Sequence, residues 1–200
     1  MKKDLDRLMR EAQIEAIFIV GATQHNAAMV YFTGRAHVSQ AELIKSVGRE
    51  PILYYASAME REEAARTGLR TQSIEVYQPK RLLEQAQGDA ILARALRYQR
   101  MLEEQGIHQG RIAVYGMSDA GLAYSVFSTL VRLMPEIEII PEADHSLLGQ
   151  ARVTKDEKEL QEIRRMGEIT VEIVGLTADF LSSHLVKDGL LIKKDGDPLR

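Results

Sequence analysis

A run near the amino terminus, residues 14–20, constrains the fold of this chain more than any other segment. Its sequence, IEAIFIV, is almost continuously apolar and contains aromatic and β-branched side chains. Such a run is typical of a β-strand covered on both faces, because a strand with one face in water alternates between apolar and polar residues. The chain is therefore expected to build a sheet with this strand at its centre and helices on both sides.

Segments with strand and helix patterns alternate along the rest of the chain. Strands are predicted over 14–20, 28–33, 41–46, 51–56, 74–77, 112–115 and 137–140. Helices are predicted over 3–13, 57–68, 80–106 with a break near 88–89, and 119–134. This order predicts an α/β fold of three layers, α/β/α. The sheet is expected to be mixed, because residues 47–50 have the pattern of a hairpin turn between two strands.

The composition excludes several classes of protein. The chain has 200 residues, a formal net charge of −3 and no Cys. Without Cys it has no disulfide, thiolate metal site or Cys nucleophile, and it fits a reducing cytoplasm. The slightly acidic balance argues against a nucleic-acid partner, since nucleic-acid-binding proteins usually carry a basic surplus. The charged amino terminus and the short apolar stretches argue against a signal peptide and a membrane span, so a cytoplasmic location is expected.

A long helix is predicted from Thr154 to about Ser182. Thr154 and Glu157 have the spacing of a capping box, in which the first side chain caps the helix and the second binds back to it. Apolar residues recur on one face of this helix at Leu160, Ile163, Gly167, Val171, Val174 and Ala178. The helix is therefore expected to pack against something along that face.

The sequence divides into two parts. Residues 1–150 carry the alternation of strands and helices and are predicted to form one domain. Residues 151–200 carry the long helix and a tail, in which Asp-Gly pairs at 188–189 and 195–196 predict turns.

The segment 116–120, Gly-Met-Ser-Asp-Ala, follows a predicted strand and opens a predicted helix, which is the setting of the nucleophile in many hydrolases. The second Gly of the hydrolase pattern is replaced by Ala, and nothing that resembles an oxyanion loop precedes Ser118. The favoured interpretation is that Ser118 or Asp119 caps the helix. A small serine hydrolase, which would need His145 or His184 as its base, is kept as an alternative.

No other pattern in the sequence indicates chemistry. The His residues have none of the spacings of metal ligands, and neither a phosphate-binding loop nor a dinucleotide-binding glycine pattern is present. No catalytic, cofactor-binding or metal-binding residue is therefore predicted in this chain.

Two further segments have sequences that are more characteristic of a particular protein family than the segments described above. Residues 26–34 read NAAMVYFTG, and residues 151–165, which lead into the long helix, read ARVTKDEKELQEIRR. Together with the order of elements over 14–182, they resemble the Asn…Tyr-x-Thr-Gly segment and the Arg-x-x-Lys-x-x-x-Glu junction of the creatinase, prolidase and aminopeptidase P family. The residues that match are Asn26, Tyr31, Thr33, Gly34, Arg152, Lys155 and Glu159.

The resemblance implies a ribonuclease-H-like α/β/α domain of the creatinase N-terminal type, followed by the first helix of a catalytic domain. In that family the activity resides in the C-terminal domain. There, two Asp, one His and two Glu hold two divalent metal ions (Mn, Co or Zn) that activate a water to attack a peptide or amidine bond. No residue of this chain is matched to these ligands. The chain is therefore expected to be the N-terminal, non-catalytic part of a metal-dependent Xaa-Pro dipeptidase or aminopeptidase, with the catalytic domain missing.

The resemblance also implies partners. They are the missing catalytic domain, a peptide substrate of the whole enzyme and a second copy of the chain, since this domain assists oligomer formation and substrate access in such enzymes. A homodimer is also favoured by the apolar face of the long helix. An alternative from a different class is a free-standing α/β binding or scaffold domain with no enzymatic parent.

Overall fold

The chain forms two compact units, Met1–Val153 and Thr154–Arg200. The structure, a computed structural model, describes residues 4–142, 146–193 and 197. The first unit contains the alternating strands and helices, and the second contains the long helix. Their assignment to an N-terminal domain and to the start of a catalytic domain, with a boundary after residue 150, stays a prediction.

The first unit is built on a mixed sheet. Within the described residues the sheet has six strands, in the order β4-β3-β2-β1-β5-β6. The strands are β1 (Ile14–Gly21), β2 (Ala41–Ser46), β3 (Ile52–Tyr55), β4 (Arg70–Ser73), β5 (Gly110–Gly116) and β6 (Ile137–Pro141). The α-helices described in this unit are α1 (Leu5–Glu11), α2 (Ala27–Thr33), α3 (Arg61–Ala65), α4 (Pro79–Gln85), α5 (Ala90–Glu104), α6 (Ala120–Leu133) and α7 (Leu147–Val153). Strand β1 pairs antiparallel with β2 and parallel with β5.

Strand β1 lies in the middle of the sheet, and its side chains alternate between two cores. Ala16, Phe18 and Val20 enter the core formed with α4, α5 and α6. Ile17 and Ile19 enter the core formed with α1, α2, α3 and α7. The near-continuous apolar sequence of this strand is explained by helices that cover both faces. The predicted three-layer α/β/α fold with a mixed sheet is confirmed.

Residues 28–33 form helix α2, so the strand predicted there is wrong. Asn26 caps this helix, because its side chain accepts a hydrogen bond from the Met29 N–H at 3.3 Å. The buried residues of α2 are Met29 and Thr33, which lie one helical turn apart. The β-branched and aromatic side chains of this segment favour a strand locally, but the cap and the burial of one helical face outweigh that preference.

The strand predicted at 74–77 is also wrong. These residues form a short 3₁₀ helix, and the strand β4 comes directly before it, paired parallel with β3. Ser73 ends the strand and caps the 3₁₀ helix, since its hydroxyl accepts a hydrogen bond from the Glu75 N–H at 3.3 Å. Tyr77, at the end of this turn, is buried against the ring of Tyr54. The apolar residues of the segment therefore have the spacing of a helical turn.

The second unit contains helix α8 (Glu157–Ser182) and a hairpin of β7 (Leu185–Lys187) and β8 (Leu190–Ile192). The cap of α8 is Asp156, so the prediction that Thr154 caps this helix is wrong. The Asp156 carboxylate accepts from the Glu159 N–H at 2.9 Å, and the Glu159 carboxylate accepts from the Asp156 N–H at 2.9 Å. The turn predicted at 188–189 is present between β7 and β8, while the turn predicted at 195–196 lies outside the described residues.

Helix α8 is long, but charged residues are distributed along its sequence. No helix in the described part of the chain combines the length and the apolar character that are needed to cross a lipid bilayer.

Lys45 on β2 places a charge inside the first unit. Its side chain is fully buried, and its ammonium group donates to Asp6 Oδ1 at 2.5 Å and to the Ser46 carbonyl at 2.7 Å. The same Asp6 oxygen accepts from the Gly48 N–H at 3.1 Å. Burial acts to raise the pKa of Asp6, but the hydrogen bonds from Lys45 and Gly48 and the charge of Lys45 together hold this pKa below its ordinary value. The pair ties α1 to the hairpin of β2 and β3.

Asp6→Asn is expected to lower the free energy of unfolding by about 2 kcal/mol near neutral pH, because it leaves the buried Lys45 charge without a counter-ion. The folded-state pKa of Asp6 is lowered, so its contribution is fully present above the ordinary carboxyl pKa of roughly 4 and is lost as the pH falls through the folded-state value. Urea denaturation at several pH values measures the effect. The difference between the wild-type protein and the variant should shrink in acid.

Glu11→Gln is the matched control for this experiment. It removes an exposed ion pair with Arg7 and should change the free energy of unfolding by less than about 0.5 kcal/mol. An Asp6→Asn variant as stable as this control at neutral pH would show that the buried pair contributes little.

Candidate functional site

A cleft of about 800 Å³ opens at the carboxyl ends of β1, β5 and β6. These strands run parallel, so their carboxyl ends meet at one edge of the sheet, where open α/β sheets usually bind ligands. We call this site the carboxyl-end cleft. Its walls are mostly apolar side chains from the strands and from α6. The polar and charged residues that line it are His25, Asn26, Tyr115, Ser118, Tyr124, Ser128, Glu142, Ser146 and Arg152.

Two glycines allow β1 and β5 to approach closely beside this cleft. Gly21 and Gly116 have φ values of +108° and +127°, which side-chain-bearing residues rarely adopt. A Cβ atom on Gly21 would lie 2.2 Å from the Met117 carbonyl oxygen, and one on Gly116 would lie 2.0 Å from the Val20 carbonyl oxygen. The backbone at this edge of the sheet therefore depends on glycine at both positions.

Asn26, one of the residues that match the family pattern, has a structural role beside the cleft. Its side-chain NH₂ donates to the Val20 carbonyl at 3.0 Å, while its side-chain oxygen accepts from the Met29 N–H. The residue is buried, and these two bonds join the start of α2 to the end of β1. An amide serves both bonds because it carries a donor and an acceptor, whereas an Asp carboxylate could make only the second.

The other residues of the first matching segment belong to α2. The Thr33 hydroxyl donates to the Met29 carbonyl at 2.9 Å within the buried face of the helix. Gly34 ends the helix with φ +63° and donates its N–H to the Val30 carbonyl at 3.0 Å. Tyr31 is half-buried, with its ring edge-on to that of Phe32. Tyr31 and Thr33 therefore lie on a helix and not on the strand predicted over 28–33.

The residues of the second matching segment are divided between the two units. Arg152 lies on α7 and lines the carboxyl-end cleft together with Asn26. Lys155 precedes the cap of α8 and is exposed, and Glu159 completes the capping box with Asp156. The structure thus brings one residue from each matching segment to the same cleft. Their role as family residues stays a prediction.

A polar corner of the cleft that the sequence did not predict is formed by Tyr115 and Glu142. The Tyr115 hydroxyl donates to Glu142 Oε2 at 2.7 Å, and the same oxygen accepts from the Leu147 N–H at 2.6 Å. The Leu148 N–H donates to the Tyr115 hydroxyl at 3.3 Å. Burial, followed by the hydrogen bond to Glu142, raises the pKa of Tyr115, so the phenol stays protonated near neutral pH. This corner holds the first turn of α7 in place.

Ser118 is one of the residues that line the cleft, and the residue after it caps α6. The Asp119 side chain accepts from the Leu122 N–H at 2.8 Å, which confirms a capping role for this segment. Among the described residues, Ser118 makes no hydrogen bond to a His or to a carboxylate that could act as a base. His145, one of the bases considered for a hydrolase, lies outside the described residues.

The divalent metal ions that the resemblance implies for a whole enzyme find no ligand set among the residues that the structure describes. Within residues 4–142, 146–193 and 197, no group of three His, Asp or Glu side chains could hold a metal ion. The arrangement around the cleft provides an apolar surface bordered by polar groups, of which those of Asn26, Tyr115 and Glu142 are engaged in hydrogen bonds. It is an arrangement suited to binding.

Comparison with known proteins gives structural matches. Neither a protein-family model nor a curated protein sequence matches the chain. The structure of a dipeptidase from Pyrococcus horikoshii OT3 is similar, with a TM-score of 0.54 and 16% sequence identity, over 88% of this chain and 44% of the dipeptidase. That of an X-Pro aminopeptidase from Thermotoga maritima MSB8 has a TM-score of 0.51 and 19% identity, over 80% of this chain and 38% of the aminopeptidase. An N-terminal domain of Xaa-Pro dipeptidase from Lactobacillus brevis, with a TM-score of 0.44 and 10% identity, matches 76% of this chain and 100% of that domain.

The similarities to the dipeptidase and to the aminopeptidase, both with a TM-score above 0.5, identify a shared fold. The match spans less than half the length of the dipeptidase and of the aminopeptidase. The fold of this chain is therefore one that a dipeptidase and an X-Pro aminopeptidase contain, and the predicted resemblance to the creatinase, prolidase and aminopeptidase P family is confirmed at the level of the fold.

Proposed function

We propose that this chain is the N-terminal, non-catalytic domain of a metal-dependent Xaa-Pro dipeptidase or aminopeptidase, together with the first helix of its catalytic domain. The observation that carries this proposal is the fold match to the dipeptidase, which covers 88% of this chain but 44% of that enzyme. The first unit has 153 of the 200 residues, so a match of this extent includes residues of both units. The junction motif around Arg152, Lys155 and Glu159 adds independent support from the sequence.

Helix α8 supports the proposal because it carries more apolar surface than a helix on a protein surface needs. Val171, Val174 and Leu176 are each more than half exposed. Beside the face predicted from the sequence, a second apolar row follows at three- and four-residue spacing: Met166, Ile169, Ile173, Leu176 and Phe180. The two rows together cover more than half of the helix circumference, whereas a surface helix usually has a stripe of about 100°. The occupant we assign to these faces is the catalytic domain of the peptidase.

Without that domain, the apolar rows of α8 are expected to pair with those of a second copy of the chain. Each buried Val, Ile or Leu side chain contributes roughly 1.5–3 kcal/mol, so an uncovered row strongly favours association. Light scattering should therefore find a dimer for residues 1–200 and a monomer for a shorter version that ends at Val153. If both versions are monomers of equal stability, the apolar rows of α8 do not drive association.

The chain alone is expected to hydrolyse no Xaa-Pro peptide and to bind no catalytic metal tightly, because the proposal places the metal ligands in the catalytic domain. Calorimetric titration with manganese, cobalt and zinc, together with a peptidase assay, tests this expectation. A stoichiometric, submicromolar metal site with peptide turnover in the chain of 200 residues would contradict it.

Roles in oligomer formation and in substrate access to the whole enzyme belong to the same proposal, as does a location in the cytoplasm.

The second candidate is a free-standing binding domain, and the carboxyl-end cleft of about 800 Å³ is the observation that favours it. The two candidates differ in whether the cleft or α8 is the functional surface.

A further inference from the structure

A second cavity of the first unit, of about 300 Å³, is lined by two arginines and has no part in the function proposed above. It lies where β1 ends and β2 begins, between α5 and the start of α6. We call it the arginine pocket. The polar and charged residues of its lining that matter here are Ser39, Gln40, Glu42, Arg94, Arg97 and Ser118.

Arg97 is a buried cation with unused hydrogen-bond donors. Its side chain is 8% exposed, and its Nη2 donates to Glu42 Oε1 at 2.7 Å. Its guanidinium carbon lies 5.4 Å from the centre of the Tyr98 ring. Within the described residues these are its only polar or ring contacts, although a guanidinium carries several N–H groups. None of its nitrogen atoms is both sealed from solvent and without a partner, so its remaining donors keep some exposure to solvent, and Arg97 is one of the residues that line the pocket.

Arg94 adds a second positive charge to the same pocket from the preceding turn of α5. It is exposed and makes no hydrogen bond or ion pair with any residue that the structure describes. Burial raises the pKa of the Tyr98 phenol and so does the Glu42 charge, while the charges of Arg97 and Arg94 act in the opposite direction. Both guanidinium charges therefore act on Tyr98, which lines the same pocket.

The charges of the lining do not balance. Glu42 is the only carboxylate among the lining residues of the pocket as described, and it faces two arginines. Asp119 caps α6, while Glu60 lies beside the lining, where one of its oxygens accepts from the Ser39 N–H at 2.6 Å and Oε2 is buried without a hydrogen-bond partner among the described residues. The lining residues thus carry two positive charges and one negative charge, and the Ser39 and Ser118 hydroxyls and the Gln40 amide provide further donors beside them.

We propose that the arginine pocket binds a small oxyanion, a carboxylate or phosphate group, between Arg94 and Arg97. Guanidinium groups suit these anions because their planar N–H donors match two oxygens at once. Glu42 holds Arg97 in position, since its carboxylate and the Tyr98 ring fix the guanidinium before the anion arrives. The Tyr98 hydroxyl, which donates to the same Glu42 oxygen at 3.2 Å, keeps that carboxylate in place.

Calorimetric titration of the whole chain with inorganic phosphate and, separately, with succinate at constant ionic strength tests this site. Saturable binding of either anion is expected, and the anion that binds identifies the ligand class. Arg94→Gln should weaken that binding by about tenfold or more, because it removes a charge-assisted hydrogen bond without disturbing a buried contact. Arg97 is left intact in this test, because its replacement would leave Glu42 buried without a partner.

Arg10→Gln is the matched control, since Arg10 is an exposed helical arginine on α1, in the layer on the opposite side of the sheet. It should bind the anion as the wild-type protein does. The site is disproved if neither anion binds saturably, or if Arg94→Gln and Arg10→Gln bind equally well. These outcomes do not depend on whether the chain belongs to a peptidase.

Discussion

Phe18→Asp is expected to unfold the first unit. Phe18 is fully buried at the centre of β1, with its ring 4.6 Å from that of Tyr98 and 5.7 Å from that of Phe127. A carboxylate at this place would have neither water nor a counter-ion, at a cost of several kcal/mol. Domains of this size are stable by only about 5–15 kcal/mol in total. The far-ultraviolet circular dichroism of the variant should therefore show no cooperative thermal transition.

Phe18→Leu is the matched control, because it keeps an apolar side chain in the same core. It should melt cooperatively, with a free energy of unfolding reduced by about 1–2 kcal/mol through the smaller side chain. A Phe18→Asp variant that melts like the Leu variant would show that β1 is not the buried centre of the sheet.

Gly116→Ala is expected to lower the free energy of unfolding by roughly 3–6 kcal/mol. Its new Cβ would lie 2.0 Å from the Val20 carbonyl oxygen and 2.8 Å from the Val20 nitrogen, so β1 and β5 would have to separate at their carboxyl ends. Backbone strain at φ +127° adds to this cost. Gly21→Ala should have a similar effect, since its Cβ would meet the Met117 backbone. The midpoints of urea denaturation measure both changes.

Gly48→Ala is the matched control, because it introduces the backbone strain of a positive φ without the steric conflict of an added Cβ. Gly48 also has a positive φ, +71°, but a Cβ there would meet no atom within 4 Å. It should lose only about 1–2 kcal/mol, from backbone strain alone. If Gly116→Ala costs no more than Gly48→Ala, the close approach of β1 and β5 beside the carboxyl-end cleft is not essential to the fold.

The layers of the fold were predictable because they depend on local patterns. The apolar continuity of 14–20 requires cover on both faces, and the hairpin pattern at 47–50 requires antiparallel neighbours. The strand predicted at 28–33 was wrong because its composition favours a strand, whereas its polar start and the buried pair Met29 and Thr33 favour a helix. Burial spacing was the better indicator there, but it depends on neighbours that the local sequence does not contain.

The cap of α8 shows a different limit of prediction. Thr154 with Glu157 and Asp156 with Glu159 both have the spacing of a capping box, and the structure uses the second pair. Two overlapping signals of the same type cannot be ranked from spacing alone. The helix itself, in contrast, was predictable to its last turn, because its apolar rows continue to that point.

The two cavities could not be predicted from the sequence, because their walls come from distant segments. Asn26 and Arg152 meet at the carboxyl-end cleft, and Glu42 and Arg97, which form the buried pair of the arginine pocket, are 55 residues apart. Asn26 and Arg152 belong to the two segments that match the family pattern, but that pattern assigns no chemistry to them, and Glu42 and Arg97 belong to no motif found in the sequence. Only the packing of α5, α6 and α7 against the sheet brings them together.

The coding sequence beyond the codon for Arg200 tests the central proposal most directly. The chain spans 44% of the similar dipeptidase and 38% of the similar aminopeptidase, so the reading frame should continue for roughly the length of this chain again or more. The continuation is predicted to encode a second domain with the two Asp, one His and two Glu that the family resemblance implies as metal ligands. A stop codon directly after Arg200 would contradict the peptidase proposal and favour a free-standing binding domain.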